Sequence, residues 1–174
     1  MITADELIMK FTNRLKGGNI LNPRIIKRGK LLIAGVRGKA NKTAEVWQEF
    51  MKLSEEKPLD NLLSEDGYEI RVNEGKGTVF AGSPVKDTAV DSAYSLFELP
   101  ASKYASFDVY VANGYTSENK AMEQWLETNQ HHYSERLLNG KYSYCVEYYD
   151  ERFNGEEAGS IVEIWIPVMD VVKE

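Results

Sequence analysis

The chain has 174 residues, 43% of them hydrophobic and 28% charged, which suits one domain that can bury a core without disulfides or a structural metal. Twenty-one basic against 27 acidic residues leave a net charge of −6, which argues against a surface for nucleic acid. No apolar run approaches the roughly 20 residues of a membrane helix and the first residues do not read as a signal peptide, so a cytoplasmic protein is expected.

The first predicted element is a helix over residues 3–16. Thr3-Ala4-Asp5-Glu6 reads as a capping box, Leu7, Ile8, Phe11 and Leu15 share a face, and Gly17-Gly18-Asn19 stops it. Residues 24–37 follow as one extended stretch whose apolar centre, Leu31 to Val36, suits a strand buried on both faces. A helix is expected over 42–56, with Val46, Trp47, Phe50 and Met51 inward and Pro58 beyond its end. Tyr68–Val72 and Gly77–Ala81 alternate as strands around the turn Gly75-Lys76-Gly77. Residues 83–92 read as a connector. A strand-like stretch from Tyr94 to Tyr110, broken at Pro100-Ala101-Ser102, opens the second half. A helix over 117–128 places Met122, Trp125 and Leu126 inward, and strands follow at 142–149 and 160–168, joined by an acidic loop at 151–159.

The halves repeat in pattern rather than in letters. Tyr68 lies 21 residues after Trp47, and Val146 lies 21 after Trp125. The fold expected is α+β: two pseudo-symmetric β-α-β-β repeats, about 22–85 and 93–170, with antiparallel sheet and a central ligand cleft. Residues 1–20 form an N-terminal helical extension to the domain at 21–174.

Ten tyrosines against six phenylalanines are unusual, because each buried hydroxyl needs a partner. The single cysteine, Cys145, fits a reducing compartment and reads as a small buried hydrophobe. His131 and His132 are adjacent and cannot face one way on a regular element, so no metal site is expected, and no motif calls for a cofactor. On an extended strand Cys145, Glu147 and Tyr149 share one face, and Tyr144, Val146 and Tyr148 the other. A carboxylate in that apolar run is costly unless paired or protonated. Glu147 therefore either serves a site or lies solvated or paired with Lys or Arg. Glu163 and Trp165 share a face of the last strand, with Glu163 suited to a structural or rim contact.

Four stretches resemble one family in order: Leu32-Ile33-Ala34-Gly35-Val36-Arg37, Leu99-Pro100-Ala101-Ser102-Lys103-Tyr104-Ala105, Val146-Glu147-Tyr148-Tyr149 and Val162-Glu163-Ile164-Trp165-Ile166-Pro167-Val168. Over residues 22–170 the chain is similar to the GyrI-like small-molecule-binding domain, also called the bacterial transcription-activator effector-binding domain. Ser102 replaces the family's glycine in the Leu-Pro motif. The resemblance implies a pocket for amphipathic, planar aromatic or cationic compounds. It maps the pocket glutamate onto Glu147 and an aromatic position onto Trp165. Tyr104, Tyr149, Trp125, Tyr68, Tyr110 and Glu163 complete the candidate lining. About 20 residues precede the match, too few for a helix-turn-helix, so a stand-alone binding domain is expected, with a small-molecule partner and no direct contact with nucleic acid or membrane. Stand-alone relatives also imply two alternatives: a hydrolase opening the cyclopropane of DNA-alkylating compounds, with Glu147 catalytic, and an inhibitor of a target such as DNA gyrase.

Overall fold

The extended stretch that opens the domain breaks at Gly29-Lys30 into two strands, β1 (Arg24–Arg28) and β2 (Leu31–Lys39), in a computed structural model that describes residues 22–173. The helix expected over 3–16 lies outside the described residues. Helix α1 (Thr43–Glu56) forms where the periodicity places it and buries Val46 and Phe50. Strands β3 (Gly67–Val72) and β4 (Thr78–Val85) make the expected hairpin, but β4 runs on through Pro84 into the predicted connector. Pro84 is tolerated because its carbonyl points away from β2, accepting the Leu63 amide at 2.9 Å, so its missing N–H costs the β2 ladder nothing.

The second half supplies β5 (Ser95–Leu99), β6 (Ser102–Tyr110), helix α2 (Tyr115–Thr128), β8 (Tyr144–Tyr149) and β9 (Ile161–Asp170). A short strand that the sequence reading lacked, β7 (Tyr133–Glu135), pairs with the far end of β9.

All of these strands join one antiparallel sheet in the order β1-β6-β9-β8-β3-β4-β2-β5, with β7 beside β9. The two halves meet where β8 pairs with β3. Around that seam the order is symmetric: β8-β9-β6 mirrors β3-β4-β2. The leading strand of each half is exchanged. β1 precedes β2 but pairs with β6, and β5 precedes β6 but pairs with β2. Only Gly29-Lys30 joins β1 to β2 and only Pro100-Ala101 joins β5 to β6. Three Cα–Cα steps span at most about 11 Å. The two ends of the sheet are therefore held close, and the sheet must curl.

Gly35 of β2 faces Gly82 of β4. A Cβ on Gly35 would lie 1.9 Å from the Ala81 carbonyl oxygen, and one on Gly82 2.2 Å from that of Ala34. No side chain fits at either crossing.

Curling gives the sheet two unlike faces. The outer face carries α1 over Ala34, Val36, Val79, Ala81 and Val85, and α2 over Ala105, Phe107, Val109, Ile164 and Val168. Among the described residues, no helix covers the inner face. It packs Ile33, Tyr68, Ile70, Phe80, Phe97, Tyr104, Tyr144, Val146 and Trp165 against one another.

Candidate functional site

Strand alternation sorts the candidate residues between these faces. Trp165, Tyr104 and Tyr68 belong to the inner cluster, and Tyr148 packs against it. Trp165 is its hub: its ring lies 5.0 Å from Tyr148, 5.6 Å from Tyr104 and 5.9 Å from Tyr68. Contacts of this kind each contribute about 0.5–1.5 kcal/mol beyond burial. The tyrosine surplus is thereby accounted for in part. Tyr104 and Tyr144 bring their hydroxyls to 3.3 Å, Tyr104 donates to the Pro100 carbonyl at 3.1 Å, and Tyr148 donates to Asp66 at 2.9 Å. Burial and these partners raise the phenol pKa values of Tyr104 and Tyr148, and burial with the nearby Asp66 pushes Tyr68 up to about 12. These hydroxyls remain protonated donors at any physiological pH.

Glu163 sits at one end of this aromatic surface. Its row across the sheet runs Asp108, Glu163, Tyr148, Tyr68 and then the two glycines, Gly82 and Gly35. The carboxylate is 7% exposed and takes four hydrogen bonds. Oε2 accepts Trp165 Nε1 at 2.8 Å and Ser106 Oγ at 3.0 Å; Oε1 accepts Arg24 Nη2 at 2.8 Å and Arg152 Nη2. Burial acts to raise its pKa, but the hydrogen bonds from Trp165, Arg152, Arg24 and Ser106 outweigh it, and the carboxyl stays below the usual range. Glu163 is a buried, ionised group at the edge of an aromatic surface rather than a rim contact.

Glu147 lies on the other face. Its partner across β9 is Ile164, part of the layer under α2, and its partner across β3 is Glu69. Two carboxylates directly opposite repel. Arg71 bridges them, donating to Glu69 at 2.7 Å with Glu147 at 3.5 Å. Trp47 of α1 donates its indole N–H to Glu69 at 2.7 Å, and Tyr149 donates to Glu147 at 2.6 Å. Desolvation, then the charge of Glu69, push the Glu147 carboxyl up to about 7, against the hydrogen bond from Tyr149 and the charge of Arg71. The resemblance implies a pocket glutamate at Glu147. The structure instead separates it from Trp165, Tyr104 and Tyr68 by the thickness of the sheet, because it shares parity with Cys145 and Tyr149.

The remaining candidates also part from the aromatic surface. Tyr149 packs edge-on against Trp47 at 5.4 Å on the helical face. Trp125 projects from α2 onto the outer face of the sheet, edge-on to Phe107 and stacked on Tyr133. Tyr110 is largely exposed at the end of β6.

Sequence reasoning missed Arg24, Arg28, Ser106, Arg152, Glu69 and Arg71. The parity of Arg24, Ile26 and Arg28 was readable. Their partners were not, since Glu163 is 139 residues from Arg24 and only the exchange of β1 unites them.

The comparisons come from family and fold. A family model described as Cass2, integron-associated effector binding protein, matches residues 24–168. The structure of SAV2435 bound to tetraphenylphosphonium superposes with a TM-score of 0.64 at 17% identity, over 84% of this chain and 93% of that one. The EcmrR C-terminal domain gives 0.59 at 14% identity, over 85% and 97%. A hydrolase from Listeria innocua gives 0.52 at 12% identity, over 91% and 98%. No curated protein matches the sequence. At these identities the structural likenesses speak for the fold.

Proposed function

The chain belongs to the Cass2 family of integron-associated effector-binding proteins, a GyrI-like family, and from that premise we propose that its inner face binds amphipathic aromatic cations. The observation that carries this reading is one buried, ionised carboxylate, Glu163, hydrogen-bonded to the indole at the centre of an aromatic cluster. An aromatic cation needs ring faces and a negative charge together. Cation–π contact contributes about 0.5–2 kcal/mol per ring, more when desolvated. Tyr68, Tyr104, Tyr148 and Trp165 supply the rings, and their protonated hydroxyls can meet a ligand's polar edge. The Glu147 cluster is a poorer match, since it lies on the helix-covered face, across the sheet from these rings.

Binding fits Glu163 better than hydrolysis does. A general acid needs a pKa near the working pH, and the four donors hold Glu163 below the usual range.

The test is titration with tetraphenylphosphonium, the compound bound to SAV2435, followed by tryptophan fluorescence and calorimetry. Glu163→Gln is expected to weaken binding at least tenfold, and Glu147→Gln to change it less than twofold. Equal binding by wild type and Glu163→Gln, or a loss confined to Glu147→Gln, would move the site off the inner face.

A further inference from the structure

The positions that a ligand's charge and ring would take on the inner face are filled by the chain itself. Arg24 sits on Glu163 at 2.8 Å, and the Arg28 guanidinium lies over the Trp165 ring, 5.2 Å from its centroid. Both belong to β1 and, with Ile26 between them, share its inner face. We infer that Arg24 and Arg28 are a resident cationic occupant of the inner face, which an aromatic cation replaces on binding. This rests on the reading of that face as the ligand site.

The geometry says which contacts can yield. Of the two arginines on Glu163 Oε1, Arg152 is anchored independently, with its guanidinium Nε and Nη2 on the Asp150 carboxylate at 2.8–3.0 Å. Among the described residues Arg24 has only the Asp108 carboxylate as a further partner, at 3.5 Å, and its side chain is 59% exposed. Arg28 is exposed, while the tryptophan beneath it is 2% exposed. β1 is five residues long and, among the described residues, stands at the edge of the sheet and pairs with β6 alone. An exposed arginine on a short edge strand regains water when it leaves, and the incoming cation takes its place beside the buried carboxylate, so the exchange leaves no charge unpaired.

The exchange also sets specificity. A ligand that brings both a ring and a positive charge replaces both arginines and leaves Glu163 paired. A neutral aromatic can replace Arg28 on Trp165 but leaves Arg24 in place. Arg24 and Arg28 thus act as specificity-determining residues that favour cations over neutral rings of the same shape.

The experiment is calorimetric titration of the full chain with tetraphenylphosphonium in three proteins: wild type, Arg24→Gln/Arg28→Gln, and Lys27→Gln. Lys27 lies between the two arginines on the opposite face of β1 and carries the same charge. The double variant is expected to bind about tenfold tighter than wild type, and Lys27→Gln within twofold of it. A thermal melt checks that each variant is folded. Binding by the double variant alone also supports the inference, as a wild-type site held shut by its own arginines. Wild-type binding that the double variant equals or falls below overturns the inference and leaves the ligand site standing. The same gain from Lys27→Gln assigns the effect to net charge and overturns it too. If neither wild type nor the double variant binds, the ligand site falls and the inference with it.

Discussion

Glu163 and Glu147 are glutamates on neighbouring strands, β9 and β8, whose residues share a register, yet the two carboxyls are in opposite states. Glu163 is one carboxylate among two arginines, an indole and a hydroxyl. Glu147 is one of two carboxylates sharing one arginine. The first is held ionised below the usual range, and the second is raised to about 7. Burial alone does not decide the state of a carboxyl; the count of donors facing it does.

The largest expected effect comes from removing the ionised member. Glu163→Ala leaves the buried Trp165 indole and Ser106 hydroxyl without their acceptor, while Arg24 and Arg152 keep Asp108 and Asp150, and it should cost about 2–5 kcal/mol in urea unfolding at pH 7. The loss should shrink in acid. A depressed pKa stabilises above the unfolded value, and that stabilisation disappears as pH falls through the folded value. A loss below about 1 kcal/mol would mean that the four hydrogen bonds are not formed in solution.

Glu147→Gln should go the other way. The carboxyl is raised from its ordinary 4.5 to about 7, so between those values the folded chain holds more protons than the unfolded chain, and stability falls as pH rises. Above about 7 the whole penalty is present. The amide resembles the protonated acid, so the variant should match wild type near pH 5 and exceed it by on the order of 1–3 kcal/mol at pH 8. Equal stability of the two proteins across that range, measured by denaturant midpoints, would make the two carboxyls alike after all.

The smallest effect concerns Cys145, which shares the face of Glu147. Burial, then the Glu147 charge, push its thiol up to about 12. Iodoacetamide at pH 8 should alkylate it on the order of 100-fold more slowly than a free thiol, with full reactivity returning on unfolding. Rapid labelling of the folded chain would show that the Glu147 side of the sheet is open to water.

Much of this was readable in advance, and the reasons for the remainder are physical. Periodicity gave α1 and α2, and alternation correctly grouped Tyr144, Val146 and Tyr148 apart from Cys145, Glu147 and Tyr149. Alternation names partners on a face but not which face the helices cover, so it does not show that the sheet lies between Glu147 and the Trp165 and Tyr104 that the resemblance groups with it. The break in the first strand was hidden because Gly29-Lys30 is short and its flanks are both extended. β7 was hidden by its three-residue length. Two tyrosines outside the candidate lining find partners that require the tertiary fold: Tyr94 donates to the Lys57 carbonyl at 2.7 Å, and Tyr133 stacks on Trp125.

The exchange of β1 and β5 bears on how the domain can have been assembled and can come apart. A half-chain taken alone would lack its outermost strand and would carry one that fits only the other half. The two repeats are therefore interlocked rather than docked. Partial unfolding of one repeat removes an edge from its neighbour, so the halves are tied into one cooperative unit despite their separate helices and separate outer layers. A duplication that began as two identical subunits trading their first strands would leave this arrangement, with the seam at β8 and β3 as the former subunit boundary.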